Sequence, residues 1–161
     1  MKKLTLIRHG KSSWNYDVSD RDRPLLERGI NDAYLVASAI KEPVIDAVFS
    51  SPANRALHTC NIFLRVLNIP SSDLRVYDEL YDFSGEHVIN FIKSLDNSLE
   101  HVVIFGHNHA LTHIVNLWGD KEIENVPTAG LVQLNFNVLE WKAITKGNTL
   151  NVIFPKNLKN D

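Results

Sequence analysis

The sequence predicts a three-layer α/β/α domain on a mostly parallel sheet with an antiparallel edge. Three observations carry that expectation. Residues 4–7 and 101–105 are short runs suited to strands covered on both faces. Segments of helical period lie between the expected strands, the alternation that builds a parallel sheet. Two further strands, Leu131–Phe136 and residues 150–154, close the chain, the second after the turn signal Lys146-Gly147-Asn148.

The elements follow in order. After the strand at 4–7, residues 15–24 are polar, rich in Asp and Arg, and read as a loop. Residues 26–41 place Ile30, Ala33, Ala37 and Ile40 at helical spacing, and Pro43 is expected to stop that helix. Residues 44–50 form the second strand. Ser51-Pro52 reads as a cap with proline at the first helical position. Ala56, Leu57, Cys60, Phe63, Leu64 and Leu67 then make one apolar stripe. Residues 74–77 suit a short strand. Ser84 is expected to cap a helix burying Val88, Phe91, Ile92 and Leu95. Gly106-His107-Asn108 is a turn into a helix with Ala110, Leu111, Ile114 and Trp118 inward. The polar tail at 156–161 is expected to fray.

Composition narrows the function. The 161 residues suit one domain, 1–161, with a single core. A formal charge of −2 gives no global field for nucleic acid or anionic lipid, so an anion site must be built locally. The apolar run at 4–7 is too short for a signal-peptide core, and no run approaches the roughly 18 residues of a membrane span. A single cysteine, Cys60, excludes an intrachain disulfide and fits a reducing compartment. A cytoplasmic domain is expected, with no nucleic-acid or membrane partner. The oligomeric state is left open.

Ligands of open α/β sheets gather at the carboxyl ends of strands. Arg8-His9-Gly10 ends the first strand, Ser50-Ser51-Pro52 and Arg55 follow the second, and His107-Asn108 follows the strand ending at Phe105. Segments far apart in sequence thus converge on one rim. Gly10 permits a turn and a close backbone approach. Arg8 and Arg55 offer planar forks suited to phosphate oxygens, Arg55 at a helix start where backbone N–H groups favour anions, and His107 can add a third donor.

This joint pattern resembles the histidine phosphatase superfamily, which includes phosphoglycerate mutases. Leu6-Ile7-Arg8-His9-Gly10 looks like its N-terminal signature. Ser50-Ser51-Pro52-Ala53-Asn54-Arg55-Ala56, with Thr59, looks like its second arginine motif, and Gly106-His107-Asn108 like its second histidine motif. Closer still is the small SixA-type branch, which includes phosphohistidine phosphatases. Lys11-Ser12-Ser13-Trp14, Asp22-Arg23-Pro24-Leu25, Arg28-Gly29, Pro127-Thr128-Ala129-Gly130 and Phe154-Pro155-Lys156-Asn157-Leu158 resemble it.

The resemblance implies a phosphoglycerate mutase-like fold and a metal-independent phosphatase without a cofactor. His9 becomes a phosphohistidine; Arg8, Arg55 and His107 hold the phosphoryl oxygens; Glu79 aligns with the general acid, with Asp78 and Asp82 close by. Asn15 and Gly10 are candidate phosphate or substrate contacts. Charge spreads over three equatorial oxygens in phosphoryl transfer, so fixed cationic donors are the main catalytic lever. The nucleophile must be neutral imidazole, and nearby arginines disfavour the imidazolium. The substrate is a phosphorylated small molecule or a phosphoprotein, such as a phosphorelay protein.

Other motifs compete. His109 and His113 lie four apart on a helix, but no credible third zinc ligand accompanies them. Cys60 and Arg65 are one residue too close for a cysteine-phosphatase loop. Asp20-Arg21-Asp22 sits in a polar loop, unlike an aspartate-phosphatase signature, and reads as a charged surface turn from which Arg21 or Arg23 can reach the pocket mouth. Trp14 and Tyr81 form an aromatic wall or pack on the sheet. A phosphoglycerate-type mutase is the alternative enzyme. The short stretch between Arg55 and Glu79 leaves little room for a substrate-enclosing insertion, and an open pocket lets water reach the intermediate. A non-catalytic phosphate-binding domain is the alternative outside enzymes.

Overall fold

The computed structural model describes residues 1–41 and 44–159. Its strands are β1 (Lys2–Arg8), β2 (Ala47–Ser50), β3 (Leu74–Val76), β4 (His101–Gly106), β5 (Leu131–Phe136) and β6 (Asn148–Ile153). Its helices are α1 (Glu27–Ser38), α2 (Asn54–Leu67), α3 (Glu86–Lys93), α4 (Ala110–Trp118) and α5 (Pro155–Leu158). One six-stranded sheet has the order β3-β2-β4-β1-β5-β6. Pairing is parallel from β3 through β1; β5 runs antiparallel to both β1 and β6.

Why Leu4, Leu6 and Ile7 of β1 and residues 102–105 of β4 are apolar follows from the two cores. Leu4 and Leu6 of β1, with Val102 and Ile104 of β4, join the core under α3 and α4. Ile7, Val103 and Phe105 point the other way, into the core with Val36 of α1 and Cys60 and Phe63 of α2. Alternate side chains of a strand face opposite sides, so both sets must be apolar when both faces are covered.

Several local expectations change. The first long helix ends at Ser38 with Ala39 as its cap; Pro43 lies outside the described residues. Ser51-Pro52 does not start α2. The helix begins at Asn54, and Ser51 Oγ instead accepts the Ala53 N–H at 3.1 Å. Ser84 does not cap α3. The buried Asp82 carboxylate accepts N–H bonds from Ser84, Gly85, His87 and Val88 at 3.0–3.1 Å, a stronger acceptor for the orphan donors of a helix start than a hydroxyl. Pro155 at the first helical position opens α5, so residues 155–158 are helical. Lys159 Nζ then meets Asp32 of α1 at 2.9 Å.

Register brings the rim together. Arg8 pairs with Gly106 and Ser50 with Phe105, so β1, β4 and β2 end side by side. Backbone bonds carry the order one step further: His9 N–H donates to Gly106 O at 3.1 Å and Ser51 N–H to Phe105 O at 3.0 Å.

Candidate active site

Beyond that rim lies a cleft of about 270 Å³. Arg8, His9, Arg55 and His107 line it together, as the strand ends require. The four arrive from three segments, and the turn after β1 is held by two devices. Gly10 approaches Gly29 so closely that a Cβ on Gly10 would lie 2.7 Å from the Gly29 carbonyl oxygen. Thr59 of α2 accepts the Gly10 N–H at 2.9 Å and donates to Arg55 O at 2.8 Å. Gly10 therefore serves backbone packing; it does not line the cleft.

His9 is buried, and its Nδ1 lies 2.7 Å from the Gly10 carbonyl oxygen. A carbonyl only accepts, so Nδ1 carries the proton and the Nε2 lone pair is left free for attack. Burial is the main force lowering the His9 pKa to about 3, with the charges of Arg55, Arg8 and Arg23 adding to it. The expected neutral imidazole is thus due first to desolvation, and only second to the arginines.

His107 is lowered to about 2, again chiefly by burial. Its Nε2 lies 2.8 Å from Ser51 Oγ. Among the described residues, four buried side-chain polar atoms have no hydrogen-bond partner: Arg8 Nε, Arg55 Nε, His107 Nδ1 and Thr149 Oγ1. Three belong to residues that line the cleft. Unpaired buried donors are rare, and three on residues around one cleft fit what an oxyanion needs.

Asp20 enters this site, contrary to its reading as a surface turn. It sits in a 3₁₀ turn, Asp20–Asp22. Arg55 Nη1 donates to the Asp20 carbonyl at 2.6 Å, and Nη2 to its Oδ2 at 3.0 Å. Tyr81 Oη also donates to Oδ2, and Arg23 Nη1 to Oδ1 at 2.9 Å. Burial works to raise the Asp20 pKa, but the bonds from Tyr81, Arg55 and Arg23 outweigh it and hold the value at about 2. Arg23 does reach the cleft, and its guanidinium stacks 3.3 Å from the ring centre of the exposed Trp14. Phe83, unremarked in the sequence, lines the mouth with its ring 5.1 Å from His107.

Two further candidates fall outside, besides Gly10. Glu79 is exposed on the 3₁₀ turn Asp78–Leu80 and lines a separate groove with Tyr77 and Phe91. The turn that carries it sends Tyr81, not Glu79, toward Arg55. Asn15 is exposed and absent from the cleft wall; its backbone N–H donates to Ser13 Oγ at 3.0 Å. Asp82 is committed to α3. Cys60 is buried in the core under α2, its thiol pushed up to about 12 by burial. His109 and His113 are exposed on or beside α4. Among the described residues no cluster of three or more His, Cys, Asp or Glu side chains could hold a metal ion, and no helix is long and apolar enough to cross a membrane.

The family model of the histidine phosphatase superfamily (branch 1) matches residues 4–86, just over half of the chain. The chain belongs to that superfamily. Among solved structures, this chain is similar to the protein histidine phosphatase SixA complexed with tungstate, at TM-score 0.81 and 25% identity over 98% of this chain and 99% of that one. It shares the fold of SixA from Agrobacterium tumefaciens, at TM-score 0.78 and 24% identity over 94% and 97% of the two chains. A 2,3-bisphosphoglycerate-dependent phosphoglycerate mutase from Chlamydia abortus is 37% identical over 102 residues. That alignment takes in 56% of this chain and 45% of the mutase, so the chain spans less than half of that relative's length.

Proposed function

We propose that this histidine phosphatase is a metal-independent hydrolase of phosphoramidates, with phosphohistidine on a protein as its substrate. The observation that carries the reading is the trio of unpaired buried donors, Arg8 Nε, Arg55 Nε and His107 Nδ1, in the cleft that His9 also lines.

In the first step the Nε2 lone pair of His9 attacks phosphorus. A phosphoryl–Nε2 bond forms, the bond to the leaving group breaks, and its electron pair departs with that group. The three donors meet the charge on the equatorial oxygens. Water then attacks phospho-His9: a phosphorus–oxygen bond forms, the phosphorus–Nε2 bond breaks with its electron pair returning to Nε2, and the proton shed by the water passes to bulk solvent as phosphate leaves. Two displacements replace one difficult hydrolysis.

Leaving-group chemistry favours a phosphorus–nitrogen bond. An alkoxide needs a proton donor, whereas a phosphoimidazole already protonated on its second nitrogen leaves as neutral imidazole. Among the described residues lining the cleft, Asp20 carries the one carboxylate, and with a pKa of about 2 it is ionised and donates no proton near neutrality. The cleft mouth lies beside exposed Trp14 and Phe83, a setting open to a phosphorylated protein loop. That openness also supports hydrolysis over the mutase alternative, because a mutase must keep water from its phosphoenzyme. The single buried Cys60 fits a cytoplasmic setting.

The experiment is a substrate panel scored by phosphate release: a phosphohistidine protein, a phosphoserine peptide, 3-phosphoglycerate and para-nitrophenyl phosphate. Each is run with wild type and with His9→Ala. The phosphohistidine protein is expected to turn over fastest, and His9→Ala to abolish turnover while leaving the fold intact. Near-normal turnover by His9→Ala would falsify the nucleophile. Isomerised phosphoglycerate without phosphate release establishes the mutase, and tight phosphate binding with no turnover of any substrate establishes a binding domain.

A further inference from the structure

We propose that Asp20 is a positioning residue that clamps Arg55 end-on and turns its Nε edge toward the phosphoryl group. This rests on the cleft being the phosphate site.

The Arg55 side chain is 2% exposed, so its guanidinium must find fixed partners. Each terminal nitrogen donates one N–H to the same residue: Nη1 to the Asp20 carbonyl and Nη2 to its carboxylate. Nε alone is left without a partner. A planar fork gripped at its end cannot rotate about its long axis, so the Nε–H direction is set before any ligand arrives. Asp20 is itself fixed from two further sides. Tyr81 Oη and Arg55 share Oδ2, and Arg23 takes Oδ1. Arg23 is anchored in turn by the Ser13 carbonyl at 3.0 Å and by Ser12 Oγ. The clamp therefore spans three segments: the loop after β1, the start of α2 and the turn after β3.

Charge gives a second reason for it. Arg8, Arg23 and Arg55 crowd one cleft, and Arg55 already lowers the Arg8 pKa alongside burial. An ionised carboxylate between Arg23 and Arg55 offsets their repulsion. The alternative for the same contact is the reverse: an internal anion sitting on Arg55 that phosphate must displace. The two make opposite predictions.

The test measures inorganic phosphate binding by titration calorimetry and kcat/KM on para-nitrophenyl phosphate, on the full chain. The variants are Asp20→Ala, Asp20→Asn, Arg55→Ala and the Asp20→Ala/Arg55→Ala double. The clamp predicts that Asp20→Ala weakens phosphate binding and lowers kcat/KM about tenfold or more, the scale of a mispositioned group. Asp20→Asn recovers part of both, since its amide oxygen keeps one bond to Arg55. In the Arg55→Ala background, Asp20→Ala costs nothing further, because the two act as one unit. Asp20→Ala leaves the buried Arg55 without its carboxylate partner, so the melting midpoint should fall; binding and rates are read well below it, and Asp20→Asn, which keeps one bond, guards against a folding defect. Unchanged or tighter phosphate binding in Asp20→Ala overturns the clamp, as do losses that multiply in the double variant. Binding is read without turnover, so an enzyme that binds phosphate through Arg55 yet hydrolyses nothing refutes the phosphatase reading while leaving the clamp testable.

Discussion

Ser51 Oγ lies 2.8 Å from His107 Nε2, joining the end of β2 to the residue after β4. Both side chains are buried. His107 is neutral near pH 7, so one ring nitrogen donates and the other accepts. A Ser51 hydroxyl donating to Nε2 leaves the proton on Nδ1, the atom without a partner in the cleft. In that arrangement Ser51 holds the tautomer whose Nδ1–H is free for an oxyanion.

Ser51→Ala removes that control. We expect kcat to fall on the order of tenfold, as when a supporting partner of an active-site histidine is lost, and inorganic phosphate to inhibit more weakly. The hydroxyl also accepts the Ala53 N–H, so a modest loss of stability accompanies the change. Steady-state kinetics with phosphate as inhibitor checks it; unchanged kcat and inhibition would show that the tautomer is set elsewhere.

Arg55→Ala is expected to lower kcat/KM by about two orders of magnitude, the scale for loss of one charge-stabilising donor. Arg55→Lys should recover little. A lysine ammonium is a point charge and cannot grip Asp20 at one end while presenting an Nε–H at its side. Rates on para-nitrophenyl phosphate for the two variants decide this, and a lysine variant near wild type would remove the geometric argument.

Buried histidines also tie stability to pH. His9 and His107 have pKa values lowered to about 3 and about 2, chiefly by burial. The unfolded chain takes up protons near pH 6.5, before the folded chain does, so stability is full above 6.5 and is lost as pH falls from there toward 3. Each histidine contributes a slope of up to about 1.4 kcal/mol per pH unit in that window. The depressed carboxylates Asp20 and Asp82 act with the same sign but only below about pH 4. Urea unfolding at pH 7, 6 and 5 in phosphate-free buffer isolates the histidines. His9→Asn should flatten the slope, and a wild-type stability independent of pH here would contradict the burial.

The cleft was legible because its parts sit at strand ends. Apolar runs locate β1, β2 and β4, and the residues that follow them, Arg8-His9, Arg55 and His107, inherit their convergence from parallel register. Asp20 was not legible in the same way. Its partners are 35 and 61 positions away in sequence, and only the folded path of a polar loop brings it to them. Phe83 and Ser51 share that difficulty, since neither a lone aromatic in a turn nor a serine before a proline declares which histidine it will touch. Glu79 is the reverse case. The resemblance assigns it the general-acid role, but the 3₁₀ turn that carries it places it in a separate groove.

That placement separates two acidic residues that sequence alone treats as interchangeable. Glu79→Gln removes a carboxyl from an exposed position in a different groove, so kcat/KM should stay within about twofold of wild type, as for surface substitutions remote from a site. Asp82→Asn instead strikes a buried carboxylate that gathers four backbone N–H groups before and within the first turn of α3. Weakening that cap should cost about 1–2 kcal/mol of stability, read as a shift in urea midpoint. Because Phe83 follows Asp82 and lines the cleft, KM should rise more than kcat falls. A Glu79→Gln variant that loses its activity with a normal melting temperature would return the proton donor to Glu79 and weaken the case for a phosphorus–nitrogen substrate.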